Sequence, residues 1–457
     1  MNLTPDLRLH IVGIGGTGMS AIARVLLERG YTLTGSDRSP GPLADALARD
    51  GVKVTIGHDA ANIAGADALL ITSAARDNPE VEAALRAGIP VYKRRDFLPA
   101  LLDGLDVLAI AGTHGKTTST AMTTHILREA GLEPGYIVGS VMANTGTNAA
   151  VGAGQHFVIE ADEYDHMYHG LSPAVAVITS AEWDHPDFFP TEADMTASFA
   201  TFIGKIAPNG ILVVNGDDPR TLALAAHHTG RTFTYGLNAD NHVRISEPTI
   251  GADAMMAFDI TSQAGWSAHL RLAQWGKHNA ANATAALLAA HYGADISPQI
   301  ASRALESFQS TGRRFEVRGE AGGLTVIDDY AHHPTAIRVT LEAARMRYPG
   351  RRVWAVWQPH TFSRTAALLD DYARAFSDAD EVLVTDIYAA REAAVSGVDG
   401  QSAAAAIGAH HPNTRHSGSI DDTADLLIEQ TRPGDVVILM SAGDAPRIGE
   451  LLLSARR

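Results

Sequence analysis

No cysteine occurs among the 457 residues. Disulfides, thiolate zinc sites and cysteine nucleophiles are thereby excluded. Positive charge is also short: 36 Lys and Arg stand against 52 Asp and Glu, a formal net charge of -16. That balance argues against nucleic acid or an anionic membrane surface as a main partner. It leaves room for a phosphorylated metabolite, because local lysines and helix ends hold an anion whatever the global charge. No apolar run is long enough to cross a bilayer and no signal-like N-terminus is visible, so a soluble cytoplasmic enzyme without a membrane partner is expected. Length points to about three domains. A hydrophobic content of 46% and a charged content of 19% allow large buried cores.

The most informative stretch is Leu108-Ala109-Ile110-Ala111-Gly112-Thr113-His114-Gly115-Lys116-Thr117-Thr118-Ser119-Thr120. A strand-like run meets a glycine turn, and a helix is expected to follow up to Ala130. Glycines let backbone N–H groups turn inward on an anion, and the helix N-terminus adds its dipole. Lys116 would reach the outer phosphates of a nucleotide and the Thr117 hydroxyl would bind Mg²⁺. The usual P-loop has a glycine where this chain has Ile110, so the loop is a shortened one. The plainer alternative is a turn with a chance lysine. The joint occurrence of strand, turn, Lys-Thr and helix weighs against it.

A second glycine turn lies in the expected first domain, 1–104. A strand at 9–12 runs into Gly13-Ile14-Gly15-Gly16-Thr17-Gly18-Met19-Ser20, a helix is expected over 21–29, and the strand 32–35 ends at Ser36-Asp37. Gly13, Gly15 and Gly18 fit G-x-G-x-x-G, and Asp37 fits a ribose contact. Alone, this reports a nucleotide-phosphate turn and not a nicotinamide. Further strands at 52–56, 68–72 and 90–92 would complete a parallel sheet. Thr72-Ser73-Ala74-Ala75 closes one of them and reads most simply as turn chemistry. Asn78-Pro79-Glu80 reads as a helix start, and Asp103-Gly104 as a linker.

In the expected central domain, 105–311, the strand ending Phe157-Val158-Ile159-Glu160 runs into Ala161-Asp162-Glu163-Tyr164-Asp165. The strand 174–179 runs into Glu182-Trp183-Asp184-His185. Hard cations want carboxylate oxygens placed by rigid strands. Downstream of a phosphate loop, the two clusters together suit a Mg-nucleotide site. His185 would orient a second metal or the phosphate. Trp275-Gly276-Lys277-His278-Asn279-Ala280-Ala281-Asn282 opens an alanine-rich helix. Asn279 and Asn282 share a face there, equally suited to reading a purine edge or to capping and packing.

The expected last domain, 312–457, begins at a hinge-like Thr311-Gly312-Arg313-Arg314. A strand at 324–327 is followed by Asp328-Asp329-Tyr330-Ala331-His332-His333-Pro334, with Pro334 starting a helix. Strands at 352–357, 381–385 and 436–440 follow. Zinc at the His332-His333 pair is disfavoured for want of a spaced partner histidine. Arg364, in Gln358-Pro359-His360-Thr361-Phe362-Ser363-Arg364-Thr365, could grip a carboxylate with two prongs, though a surface ion pair is the commoner role.

These motifs, in this order and over nearly the whole chain, resemble the Mur ligases. The carriers are the turn from Gly13, the loop from Gly112, Glu160-Ala161-Asp162-Glu163, the segments from Asp328 and Gln358, and Asp386-Ile387-Tyr388-Ala389-Ala390-Arg391-Glu392. The resemblance implies an α/β fold of three domains. These are a Rossmann-like N-terminal domain for a UDP-sugar, a central P-loop-type ATPase domain with a mostly parallel sheet, and a C-terminal Rossmann-like domain for an amino acid. It implies Gly15, Gly16, Thr17, Gly18 and Met19 at the pyrophosphate, and Asp37 and Ser73 near uridine. It implies Gly112, Thr113, His114, Gly115, Lys116, Thr117 and Thr118 around ATP, with Asn279, Asn282 and Arg314 beside it. Thr117 and Glu160 would hold one Mg²⁺, and His185 the second metal site. Tyr330, His332 and Arg364 would receive the amino acid. Departures are Thr361 in place of a second arginine, Trp183, the segment 440–444, and no lysine placed for carbamylation, Lys205 coming too late.

The implied activity joins L-alanine to the lactyl carboxylate of UDP-N-acetylmuramate through an acyl phosphate made from ATP, a step of peptidoglycan precursor synthesis. A carboxylate and an amine do not condense unaided in water, because oxide cannot leave. Lys116, Glu160, His185, His332 and Arg364 are the expected catalytic set, in a monomer or homodimer that closes by movement of its last domain. Rivals are a recycling ligase adding a preformed tripeptide to the same sugar nucleotide, a nicotinamide-dependent dehydrogenase, and a non-catalytic nucleotide-binding regulator.

Overall fold

The computed structural model describes residues 4–456 apart from 5, 74, 76 and 391. Ala74 of the expected strand end 72–75 and Arg391 of the 386–392 motif lie outside the described residues. The chain forms three α/β units, each built on its own sheet.

The N-terminal sheet is wholly parallel, in the order Lys53–Ile56, Thr32–Asp37, Arg8–Val12, Ala68–Ile71, Val91–Lys93. This is the Rossmann-like order, with its crevice beyond the carboxyl ends of the strands. The first helix starts at Thr17, four residues before the expected Ala21, with Gly16 as an extended N-cap. Thr17, Gly18 and Met19 are thus its first turn, and the Met19 side chain enters the core at 2% exposure.

In the central unit, Asp106–Ala111 lies between His156–Glu160 and Val175–Ile178, all parallel. Ile110 pairs with Glu160 and Ala111 with Ile178, so the three carboxyl ends stand side by side. Strands covered on both faces read as unbroken apolar runs, as these do. The sheet continues through Ile211–Asn215, Arg231–Gly236 and Val243–Ile245 to an antiparallel margin, Met256–Ser262 and Ser267–Leu272. The helix Lys116–Glu129 is polar in sequence yet buried, because Thr120, Thr123 and Thr124 each donate to the carbonyl four residues back at 2.8 Å. It packs on the alanine-rich Lys277–Ala294, whose small side chains permit burial on nearly all sides.

The C-terminal sheet runs Glu316–Ala321, Leu324–Asp329, Val436–Met440, Val353–Trp357, Glu381–Thr385, Thr414–Gly418, antiparallel only at its first pair. Asp328 and Asp329 belong to the strand, paired with Leu439 and Met440, and not to the following turn as expected. The neighbouring strand is long enough to extend the ladder over them. His333 caps the helix Pro334–Arg347 by accepting from the Thr335 amide.

One apolar core runs from Leu9 and Phe97 of the N-terminal unit into Phe157 and Ile178 of the central one. The C-terminal unit keeps its own cores around Trp357 and Trp354. Of the residues of 182–185, Trp183 packs against both the first core and the Trp357 core.

Glu80 anchors the first glycine turn. It is fully buried, accepting from Ser36 Oγ at 2.6 Å and Asn62 Nδ2 at 2.6 Å, with His58 Nδ1 at 3.2 Å. Ser36 in turn accepts the Gly13 and Ile14 amides through its carbonyl. Burial alone would raise the Glu80 carboxyl, yet His10, Ser36 and Asn62 hold it down at about 2. Glu80→Gln removes the charge that these donors satisfy, at a cost of about 3 kcal/mol. Amide exchange over the Arg8–Val12 strand and the following turn should accelerate roughly 100-fold, with Val436–Met440 unchanged. Equal protection of wild type and variant would contradict this role.

Candidate active site

The three strand ends of the central unit deliver the phosphate loop and both carboxylate clusters to one cleft of about 1700 Å³, lined by all three units. Gly112 and Gly115 have φ of 132° and 80°. A Cβ at Gly112 would stand 2.2 Å from Thr179 Oγ1, and one at Gly115 2.3 Å from Asn282 Oδ1. Only glycine fits at either place, and Ser180 takes the Thr113 amide at 3.2 Å and the His114 amide at 2.8 Å, so the loop presents an anion with the helix N-terminus beyond Gly115. Lys116 Nζ donates to the Gly112 carbonyl and lies 3.0 and 2.9 Å from the two Glu163 oxygens. Burial opposes its charge, but Glu163, Asp162 and Glu160 outweigh it and hold the ammonium above its usual range.

Thr117 Oγ1 donates to Glu160 Oε1 at 3.0 Å, and Arg314 Nη2 donates to Thr117 Oγ1 at 3.2 Å. The other Glu160 oxygen accepts the Gly139 amide at 2.6 Å. Desolvation raises the Glu160 carboxyl in spite of Lys116 and Arg314, the state of a carboxylate short of cationic charge. A hydroxyl beside such a carboxylate fits the donor set of a magnesium ion. His185, at φ 57°, sets Nε2 3.7 Å from Glu163 and 3.8 Å from Asp184. Asn279 donates to the Trp275 carbonyl at 2.8 Å and Asn282 to Asn279 Oδ1 at 3.3 Å, while both line the cleft. Neither bond caps the helix, whose N-cap Gly276 has no side-chain partner, so the pair combines local packing with cleft-lining.

Arg364 is 5% exposed. Its Nε donates to Asp184 Oδ1 at 2.7 Å, Nη1 lies 3.1 Å from His360 Nδ1, and Nη2 3.4 Å from His185 Nδ1. It is therefore no surface ion pair. His332 Nδ1 donates to the Tyr330 carbonyl at 2.9 Å and sets Nε2 3.8 Å from Asp184. Both Arg313 and Arg314 lie over the Tyr330 ring.

At the N-terminal end, Gly15 N donates to Asp37 Oδ2 at 2.9 Å, so the expected ribose carboxylate braces the turn itself. Thr17, Gly18 and Ser73 line the cleft; Gly15, Gly16, Met19 and Asp37 do not. A Cβ at Gly18 would stand 2.8 Å from Arg94 Nη1, and Arg94 Nη2 donates to Asp162 Oδ2 at 3.1 Å.

Four partners escaped the sequence reading: Glu163 of Lys116, Asp184 of Arg364, Arg94, and Glu182. The acidic runs were visible, but no spacing says which carboxylate meets which cation. The 441–444 loop also finds a place, since Ser441 Oγ donates to Gln358 Oε1 at 2.6 Å and Arg313 Nη2 to the Ser441 carbonyl at 2.6 Å. A partner histidine for the His332-His333 pair exists in space: His114, Glu182 and His333 bring ligand atoms within 4.8 Å of one another. Arg220 already lies 3.1 Å from Glu182, and His333 Nδ1 caps a helix, so hydrogen bonds fill that cluster.

Three family models match successive parts of the chain: "Mur ligase family, catalytic domain" over 8–104, "Mur ligase middle domain" over 110–290 and "Mur ligase, glutamate ligase domain" over 313–443. The UDP-N-acetylmuramate--L-alanine ligase of Nitratidesulfovibrio vulgaris is 41% identical over 97% of each chain, as is that of Chloroflexus aggregans. Among solved structures, the UDP-N-acetylmuramate-alanine ligase of Thermotoga maritima matches at a TM-score of 0.83, with 25% identity and 98% of each chain covered. A murein peptide ligase of Psychrobacter arcticus matches at 0.73 with the same identity and coverage.

Desolvation is the leading cause that holds His278, His332 and His333 down at about 4 and His360 at about 3. An unfolded chain takes those protons near 6.5, so between about 6.5 and 4 it binds more protons than the native state. Stability therefore falls as pH drops through that window. Asp329, raised to about 6 by burial, acts oppositely and is outnumbered. The urea midpoint followed by circular dichroism should decline from pH 6.5 to 4.5. A flat profile would contradict the neutral histidines.

Proposed function

The chain belongs to the Mur ligase family, and from that membership we infer an ATP-dependent ligase that joins L-alanine to the lactyl carboxylate of UDP-N-acetylmuramate in peptidoglycan synthesis. The observation that carries this reading is the single cleft in which Lys116-Thr117, the carboxylates 160–163 and the Asp184–Arg364 pair meet. ATP supplies the leaving group that oxide cannot be: the lactyl carboxylate takes the γ-phosphoryl group, and the alanine amine then attacks the acyl carbonyl and expels phosphate.

On this reading 1–104 holds the UDP-sugar, 105–311 the ATP and 312–457 the amino acid. The Gly15, Gly16, Thr17, Gly18 and Met19 turn would face the pyrophosphate, with Asp37 and Ser73 toward uridine. The loop amides of 112–118 would cradle the phosphates, and Lys116 would exchange Glu163 for the outer ones, neutralising charge as it shifts. Thr117, Glu160 and His185 would hold magnesium, which supplies further charge neutralisation. Asn279, Asn282 and Arg314 would border the nucleotide. Tyr330, His332 and Arg364 would position the alanine, Arg364 by its carboxylate. The neutral imidazoles of His332 and His360 would not repel an incoming amine.

The nicotinamide dehydrogenase reading is not favoured, because relatives that match over 97% or more of this chain are ligases. The reading places the reaction in the cytoplasm, where nucleotide substrates are; no helix among the described residues is long and apolar enough to cross a membrane.

ADP release should require UDP-N-acetylmuramate together with L-alanine, exceeding release with glycine, L-serine or the tripeptide. Lys116→Ala should lower kcat by about 10³-fold with the circular dichroism spectrum retained. Turnover with the tripeptide alone would replace this substrate assignment by the recycling one.

A further inference from the structure

Residues 182–185 are held from two sides. From the phosphate loop, Thr113 Oγ1 donates to the Glu182 carbonyl at 2.5 Å and His114 Nε2 lies 2.8 Å from Glu182 Oε2. From the C-terminal unit, Thr335 Oγ1 donates to Glu182 Oε1 at 3.0 Å, His333 Nδ1 lies 3.7 Å from Oε2, and His333 Nε2 lies 3.3 Å from the Trp183 carbonyl. The His114 and His333 rings meet at 4.6 Å between centroids. We propose that Glu182 is a positioning residue that couples the state of the phosphate loop, through His114, to the start of the helix Pro334–Arg347, through Thr335. The proposal rests on the nucleotide-binding reading of that loop.

Three features give the coupling its physical content. The C-terminal unit keeps its own cores and meets the first one through Trp183, while its other contacts at 182–185 are polar. It joins the chain at a segment with positive φ at Ser310, Arg313 and Phe315, a place where a few backbone angles absorb a rotation. Tyr330 and His332, proposed for the amino acid, immediately precede the helix that Glu182 touches. An anion in the loop that moves His114 therefore acts on Glu182, and Glu182 acts on the docking of that helix. Glu182 is well suited to transmit: against the cost of burial, His114, Thr335 and His333 hold its carboxyl far below the usual range, so it stays an anion throughout. Linkage makes the effect reciprocal, so a change at Thr335 must alter nucleotide affinity.

The test is calorimetric titration of a non-hydrolysable ATP analogue into the full-length protein, wild type and variants. Thr335→Val deletes the hydroxyl at nearly constant volume, and Thr335→Ser restores it. His114→Asn is too short to reach Glu182. Thr335→Val should weaken binding about fivefold, within the usual range of allosteric coupling, and Thr335→Ser should lie within about twofold of wild type. In the His114→Asn background, Thr335→Val should add nothing, because the relay is already broken. A Thr335→Val affinity equal to wild type, or the same fivefold loss in both backgrounds, overturns the proposal. The titration needs no turnover. A wild type that binds the analogue but releases no ADP with L-alanine would remove the substrate assignment and leave the coupling judged on its own cycle.

Discussion

Glu160, Asp162, Glu163, Glu182 and Asp184 crowd the carboxyl ends of two strands that flank the phosphate loop, and within 160–165 and 182–185 only His185 is basic. Carboxylates withdrawn from water must find cations or donors. Here these arrive from everywhere else: Lys116 and His114 from the loop, Arg94 from the N-terminal unit, Arg314 and Arg364 from the C-terminal one. The same demand that makes the cleft chemically useful also assembles it. A unit that fails to dock leaves an uncompensated charge behind.

The two docking surfaces differ in kind. The N-terminal unit is joined to the central one by continuous apolar packing, supplemented by Arg94 and by Lys93 on Asp165 at 2.9 Å. Burial of that sort is insensitive to what occupies the cleft. The C-terminal unit is held chiefly by ion pairs and hydrogen bonds to 182–185, together with Trp183 and the stacking of Arg347 on Trp275. Polar contacts are individually replaceable by water or ligand, so this is the surface on which ligand occupancy has leverage.

What the sequence made legible was local. Glycine turns, unbroken apolar strands, and the helix starts at Pro79 and Pro334 depend on a few adjacent residues, and they were found where expected. Pairings such as Asp184 with Arg364, 180 residues apart, depend on the topology of two sheets and have no local sign. The antiparallel margin is a different kind of omission. Met256, Phe258, Ile260 and Ser262 are buried in strict alternation with more exposed neighbours, the period of two that marks a half-buried antiparallel strand. The early start of the first helix and the extension of a strand over Asp328 and Asp329 are boundary effects, set by neighbours in space.

Thr361 and Arg364 show how a departure from a family pattern can be absorbed. Thr361 adopts φ 65°, an uncommon conformation for a β-branched residue, and stands just before the short helix Phe362–Ala367 that carries Arg364, with no side-chain capping bond. Its amide donates to the Tyr388 carbonyl at 2.9 Å, and the Tyr388 amide returns to Pro359 at 2.8 Å. That small bridge over-determines a backbone which would otherwise relax, as strain at functional sites requires. A second arginine at 361 would add a cation where Asp184 already satisfies the first. With threonine there, Arg364 meets Asp184 through Nε and keeps Nη1 and Nη2 against His360 and His185. Since Arg364 and Asp184 come from different units, this pairing exists only where the two units are docked.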